Sequence, residues 1–279
     1  MPIRAIRLIR KMRGGAQSHL MECADGQFYV VKFQNNPQHR RILINEWLGS
    51  AFLSYLEIAA PPSAVVEVDA QFLEEYPETG FQLGGKHVPV RAGWQFGSLC
   101  PADPARLAIF DFLPDQLLHK VANLTDYRGA LVFDKWMGNA DSRQSIFFRA
   151  RLKEHIHSLN EHPLKLGFVT QMIDHGYVFE GPQWNFPDSP LQGLYFRRDV
   201  YRGIRTLDDF QPWLDRVVNF PEEVIDRAWK QLPPAWVAED QSALDNVLTR
   251  LFARRKRVPD LIRDAAKGQT RPFPDWEGK

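Results

Sequence analysis

Asp174, in Met-Ile-Asp-His-Gly (172–176), follows Asp141, in Gly-Asn-Ala-Asp-Ser-Arg-Gln (138–144), by 33 positions. Far upstream a single lysine, Lys32, interrupts the apolar run Tyr-Val-Val-Lys-Phe (29–33), and before it stands a doubled glycine, Gly14-Gly15, followed by Gln17 and Ser18. Residues of these types in this order suit transfer of a phosphoryl group from ATP. Glycines let backbone amides approach a triphosphate closely, and a lysine fixes the phosphate charge. One carboxylate takes the proton of an attacking hydroxyl, and a second holds Mg²⁺ through hard anionic oxygen.

Each residue alone also has an ordinary structural explanation, and the order of the set carries more than any member. Gly14-Gly15 is neither a G-x-G-x-x-G nor a Walker sequence. With Gln17 and Ser18 beside it, the pair is a candidate phosphate cradle. Lys32 lies among apolar neighbours, so its charge needs a partner, either a phosphate or a carboxylate. Glu46, on the helix expected after this strand, can supply that carboxylate. Asp141 falls in a loop between a helix and a strand and is the candidate proton acceptor, with Arg143 to neutralise phosphate charge and Gln144 or Ser145 to face a metal. Asp134 is a rival, because Asn139 stands five residues after it. It sits inside an apolar helical pattern, however, and Asp141 is preferred. Asp174 leaves an apolar strand at a glycine-relieved turn and is the candidate metal ligand.

The elements that must hold these residues can be read from periodicity. Alternation over 3–12, a break at the glycines, and strands at 19–24 and 27–33 joined by Asp25-Gly26 predict a three-stranded meander. Apolar spacings of three and four over 40–56 predict an amphipathic helix, ended by Pro61-Pro62. A strand at 64–68 and a hairpin within 72–97 lead to a connector. Beyond Pro101, helices are expected at 104–122 and 125–138. A strand pair follows at 145–149 and 167–173, linked by a polar His- and Lys-rich segment. A loop rich in Pro, Gly and aromatics spans 181–196, and helices follow at 222–231 and 240–256. A strand-rich first third before a helical remainder predicts an α+β protein of two lobes, 1–95 and 96–279, with the site between them.

Composition narrows the class. A chain of 279 residues, 44% hydrophobic and 12% aromatic, can fill a sizeable core. A formal net charge of +1 does not favour a protein that wraps nucleic acid or lies on a membrane by charge. The basic residues Arg250, Arg254, Arg255, Lys256 and Arg257 are expected to coat a solvated helix end, with no direct nucleic-acid role. Two cysteines, Cys23 and Cys100, allow one disulfide but no disulfide framework, which fits a reducing cytoplasm. No signal peptide and no membrane span are expected.

Over almost its whole length the chain resembles the HipA-like kinases, a bacterial branch of the protein-kinase-like fold related to the phosphatidylinositol kinases. The resemblance is carried by Gly-Gly-Ala-Gln-Ser-His-Leu (14–20), Val-Val-Lys-Phe (30–33), Asn-Pro-Gln (36–38), Ile-Asn-Glu-Trp-Leu (44–48) and Phe-Gly-Ser (96–98). It continues through Phe-Asp-Lys-Trp-Met-Gly-Asn-Ala-Asp-Ser-Arg-Gln (133–144) and Ile-Asp-His-Gly (173–176). It implies a Ser/Thr kinase in which Lys32 contacts the ATP phosphates, Glu46 holds Lys32, Asp141 is catalytic and Asp174 binds Mg²⁺. The acceptor, protein or small molecule, stays open. The chain departs from the pattern at Ile146, where kinases of this class carry a metal-binding Asn. Either Gln144 or Ser145 fills that place, or the chain binds nucleotide with little or no transfer. A lipid or small-molecule kinase is a further alternative. The segment that precedes this region in longer toxin-type relatives is not part of the resemblance, so pairing with a DNA-binding antitoxin is not implied.

Overall fold

A computed structural model describes residues 1–156 and 164–278. Strands β1 (Ile3–Lys11), β2 (His19–Cys23) and β3 (Phe28–Lys32) form the expected meander. Gly26 makes the tight turn between the last two at φ 75°. Glycine adopts that conformation without a Cβ penalty. Helix α1 (Arg41–Tyr55), strand β4 (Ser63–Val68), the short helix α2 (Ala70–Glu75), the hairpin β5 (Gly80–Leu83)–β6 (Lys86–Pro89) and strand β7 (Gly93–Leu99) complete the first lobe. Five strands close into a barrel in the order β1-β2-β3-β7-β4, with β4 returning parallel to β1. Met21, Val31, Phe33, Val66 and Val68 fill one cluster of its core. Because β7 pairs with both β3 and β4 as far as Leu99, the strand-rich lobe runs beyond residue 95, the boundary expected from the order of strands and helices.

The second lobe carries α3 (Asp115–Leu118), α4 (Asp126–Met137), β8 (Gln144–Arg151), the turn α5 (Leu152–His155), β9 (Leu166–Ile173), α6 (Trp213–Val218), α7 (Glu222–Lys230), α8 (Pro234–Val237), α9 (Gln241–Arg254) and α10 (Val258–Lys267). The architecture is α+β in two lobes. The helix expected over 104–122 shrinks to α3. Pro114 breaks the run, since proline inside a helix removes a donor and clashes with the preceding turn. Phe110 also exchanges backbone hydrogen bonds with Phe147, at 2.9 and 2.8 Å. Part of the polar link between β8 and β9, residues 157–163, lies outside the described residues. The final helix α10 has no counterpart in the sequence expectation.

Helix α1 is more deeply placed than an amphipathic surface helix. Ile42, Leu43, Ile44, Asn45, Glu46, Leu48, Gly49, Ser50, Phe52 and Leu53 are all buried, because the barrel and the helical lobe cover it from both sides. Phe52 packs against Trp136 of α4 and against Phe220, with ring centroids 5.5 and 5.3 Å apart. Burial of each such ring contributes on the order of 2–3 kcal/mol. Glu46 thereby becomes a buried carboxylate facing the seam between the lobes.

Candidate active site

Lys32 ends β3 with only 8% of its surface exposed. Its Nζ forms an ion pair with Glu46 of α1 and donates to Asp174 Oδ1 at 2.7 Å. Burial alone would lower the lysine pKa, but the two carboxylates reverse this and hold it above its ordinary value. Lys32 in turn draws the Asp174 carboxyl down to about 2. Glu46 spends its second oxygen on the backbone N–H of His175, at 3.0 Å. Asp174 stands at φ 58°. That left-handed backbone is one Asp tolerates better than most residues. The strand β3, the helix α1 and the turn after β9 thus meet at one ammonium group.

Helix α4 supplies the opposite side. It ends at Gly138, left-handed at φ 59°. A left-handed glycine after the last turn lets the chain swing sharply into the loop holding Asp141. Asp134 and Asp141, seven residues apart, have opposite environments. Asp134 is fully buried: it accepts from Asn139 Nδ2 at 2.9 Å and from Arg143 Nε at 2.9 Å, and it forms an ion pair with the Arg143 guanidinium. Asp141 is exposed. Its backbone N–H donates to Asn139 Oδ1 at 3.2 Å, and its side chain accepts from Ser142 N–H at 2.7 Å and from Gln144 Nε2 at 3.4 Å. Only Asp141 of the two could meet a hydroxyl arriving from solvent.

Two sequence expectations are corrected here. Arg143 is not a phosphate-facing cation, because it is 2% exposed and points inward. Besides Asp134, it donates to Ile173 O and to His175 Nδ1, both at 3.0 Å. Burial and that guanidinium push the His175 pKa well below the usual imidazole value, so the ring stays neutral. Gln17 is not free to contact phosphate either. Its amide is spent on β5, donating to Gln82 O at 3.0 Å and accepting from Gln82 N–H at 2.7 Å. Its neighbour Ser18 is buried, and Ser18 O accepts from Met12 N–H at 2.7 Å. Gly14 lies at φ 118°, and a Cβ on Gly15 would come within 2.7 Å of Gln38 Nε2. That amide also reaches the Tyr177 hydroxyl, 3.4 Å away in the other lobe.

The strand pairing gives Gln144 and Ser145 different surroundings. Gln144 lies opposite Ile173, next to Asp174, and is exposed. Ser145 faces the other way, with its hydroxyl bonded to that of Tyr127. Ile146 is buried against Phe148 and Val169 and offers no ligand atom. Among the described residues no cluster of three His, Cys, Asp or Glu side chains could alone hold a metal ion.

Asn45 escaped the sequence reading. Its Nδ2 lies 2.7, 3.1 and 3.0 Å from the carbonyls of Gly176, Val178 and Gly181, and its Oδ1 accepts from Trp184 Nε1 at 2.9 Å. A signal was present: an amide inside an apolar helix must find buried partners. The same loop receives the basic run expected to be solvated. Arg250 donates to Trp184 O, and Arg254 and Arg257 pair with Asp188.

The strand lysine, the helix glutamate and the strand-end aspartate thus meet in one ion-paired cluster, with the loop aspartate exposed on the loop that follows α4. The chain belongs to the HipA-like kinase family, whose model matches residues 5–147. No curated protein matches the chain. Two solved structures of the Golgi casein kinase, one with Mn/ADP bound, superpose with TM-scores of 0.46 and 0.48. Their identities are 11% and 12%, over 96% and 97% of this chain and 74% of each of theirs. Among the described residues, no helix is long and apolar enough to cross a membrane.

Proposed function

We propose that this protein is an ATP- and Mg²⁺-dependent phosphotransferase acting on a Ser or Thr hydroxyl of a protein. The observation carrying this reading is the buried Lys32 held between Glu46 and Asp174, with Asp141 exposed nearby on the loop after α4. Lys32 would bind the nucleotide phosphates through its fixed ammonium group. The turn at Gly14-Gly15 would cover them. Asp141 would orient the acceptor hydroxyl and take its proton as the new P–O bond forms and the β–γ bridge breaks, with ADP leaving.

Asp174 and the Oε1 of Gln144 are the groups suited to Mg²⁺. The register of the β8–β9 pair, which sets Gln144 opposite Ile173, the residue before Asp174, supports this choice. A small hard cation ordinarily completes its shell with water and phosphate oxygens. Bound there, Mg²⁺ would neutralise phosphate charge. A second reading, nucleotide binding without transfer, is favoured by Ile146, whose apolar burial removes the usual second ligand.

Asp141→Asn separates the two. The exposed amide keeps the fold and nucleotide affinity and should lower phosphate transfer by about 10²–10⁴-fold. Transfer to a mixed protein substrate, followed with γ-labelled ATP, measures the loss. Wild-type protein that binds ATP with magnesium yet transfers nothing to protein, small alcohol or water supports the second reading. Nucleotide affinity indifferent to EDTA sinks the first.

A further inference from the structure

Two segments that the proposed chemistry does not use, 110–113 and 193–198, flank the loop carrying Asp141. The second is seated against that loop. Arg143 N–H donates to Leu194 O at 3.4 Å, and a Cβ on Gly193 would come within 2.0 Å of the Asp134 Cβ. In the first, Phe110 bridges Phe147 of β8 in the antiparallel sense, so the chain from 110 to 113 heads back toward Gln144 and Asp141. Arg197 staples the two segments together. It donates to Leu113 O, pairs with Asp115 and lies over the Phe112 ring, its guanidinium carbon 4.7 Å from the centroid.

Both segments present aromatic surface to solvent. Among the described residues Phe110, Phe112 and Phe196 are the only exposed phenylalanines, at 43%, 54% and 66%. A lone exposed ring is ordinary, but three on two stapled segments form a patch of the kind that marks an interaction site. Two of the rings are also held. Phe112 has Arg197 over one face. Phe196 lies against Tyr195 with centroids 4.8 Å apart, and Tyr195 in turn packs on Tyr127 at 4.6 Å. A ring already fixed loses little freedom when its outer face is covered, so burying that face is favourable.

Their position says what covers them. A segment that delivers a hydroxyl to Asp141 passes over a flank of its loop. On 110–113, 193–198 and the Asp141 loop, the exposed charges are Asp111, Asp141 and Arg198. That balance gives an anionic bilayer surface no foothold, since such surfaces attract clustered lysine and arginine.

We propose that Phe112 and Phe196 form an acceptor subsite for a protein segment that carries a bulky apolar side chain close to its Ser or Thr. The inference deepens the phosphotransferase reading and rests on it in placing the acceptor at Asp141.

The probes are labelled Ser-containing peptide libraries in which one flanking position at a time is fixed as Phe, Leu, Gly or Asp. Binding to the full chain, with a non-hydrolysable ATP analogue and magnesium, is read by fluorescence anisotropy, and transfer from γ-labelled ATP is followed on the same libraries. At one position at least, Phe and Leu should bind at least about tenfold more tightly than Gly and Asp. The double variant Phe112→Ser, Phe196→Ser should lose that preference with its melting temperature unchanged, because both rings face solvent. Phe112→Leu with Phe196→Leu should restore it. Leu83→Ser, at an exposed apolar position on the other lobe, should behave as the wild type does. A wild type without apolar preference, a preference that survives in the serine double variant, or an equal loss in Leu83→Ser would each overturn the subsite. So would rings required for binding phosphatidylglycerol vesicles but not peptides. Apolar-selective binding without transfer keeps the peptide subsite and sinks the phosphotransferase reading, whereas transfer without apolar preference does the reverse.

Discussion

The two sides of the cleft are held by different kinds of force. On the acid side, Asp134, Arg143, Asn139 and His175 form a buried, hydrogen-bonded set that fixes both acidic loops. On the glycine side, the turn at 13–15 is exposed and is tied down mainly by the Gln17–Gln82 amide pair and the Met12–Ser18 backbone bond. Buried charges are strong when paired and ruinous when half removed, whereas exposed amide pairs exchange readily with water. The loops carrying the carboxylates that the proposed chemistry needs fixed have the rigid support. The turn that would have to admit a nucleotide has the light one.

That contrast can be broken most severely from the acid side. Asp134→Ala would strand the Arg143 guanidinium in the interior and should cost about 3–5 kcal/mol of stability, read by urea denaturation. A loss under about 1 kcal/mol would mean that the buried pair does not organise the loops. Lys32→Met should come next. It leaves Glu46 and Asp174 facing each other without their cation, so the melt should drop by an amount equivalent to about 2–4 kcal/mol, and ATP affinity measured by calorimetry should fall as well. Retained ATP affinity would remove Lys32 from the site.

A smaller effect sharpens the comparison through pH. Lys135 is buried on α4, donating to the carbonyls of Ser189 and Pro190 at 3.1 and 2.8 Å. Burial, reinforced by nearby Arg254, lowers its pKa to about 8. Between about pH 8 and the ordinary lysine value near 10.4, the unfolded chain holds a proton that the folded one has released. The cost of burying this ammonium group is therefore full below that window and is relieved as pH rises through it, so stability should increase with pH there. The melting temperature of the wild type minus that of Lys135→Met should grow from pH 8 to pH 10, and a flat difference would refute the assignment. Smallest of all, Gln17→Ala should change stability by about 1 kcal/mol or less while increasing amide hydrogen exchange at 13–17. A large loss would show the roof to be as firmly built as the floor.

Much of the scaffold was legible because it follows local rules. The Asp25-Gly26 hairpin, the helix before Pro61-Pro62 and the apolar strand leading to Asp174 announce themselves by turn chemistry and period. The contrast between Asp134 and Asp141 was legible too, since an aspartate within an apolar helical run should be buried and paired while one in a loop should not. What escaped depends on long-range partners. Nothing near Arg143 in sequence reveals that Asp134, Ile173 and His175 together consume its guanidinium. Gln17 could not be separated from a phosphate contact until Gln82, 65 residues later, came beside it. The over-long helix at 104–122 failed for a related reason, because a backbone exchange with Phe147 outweighed local helical preference.

A Cβ at Gly49 would lie 2.7 Å from the Cβ of His175, so α1 rests directly on the turn that carries Asp174. Asn45 and Glu46, on the same helix, grip that turn by hydrogen bonds. A helix seated this closely is a poor clutch: sliding or rotating it would break several buried bonds together. Here the helix is part of the chassis, and α1 and the Asp174 turn should move, if at all, as one piece.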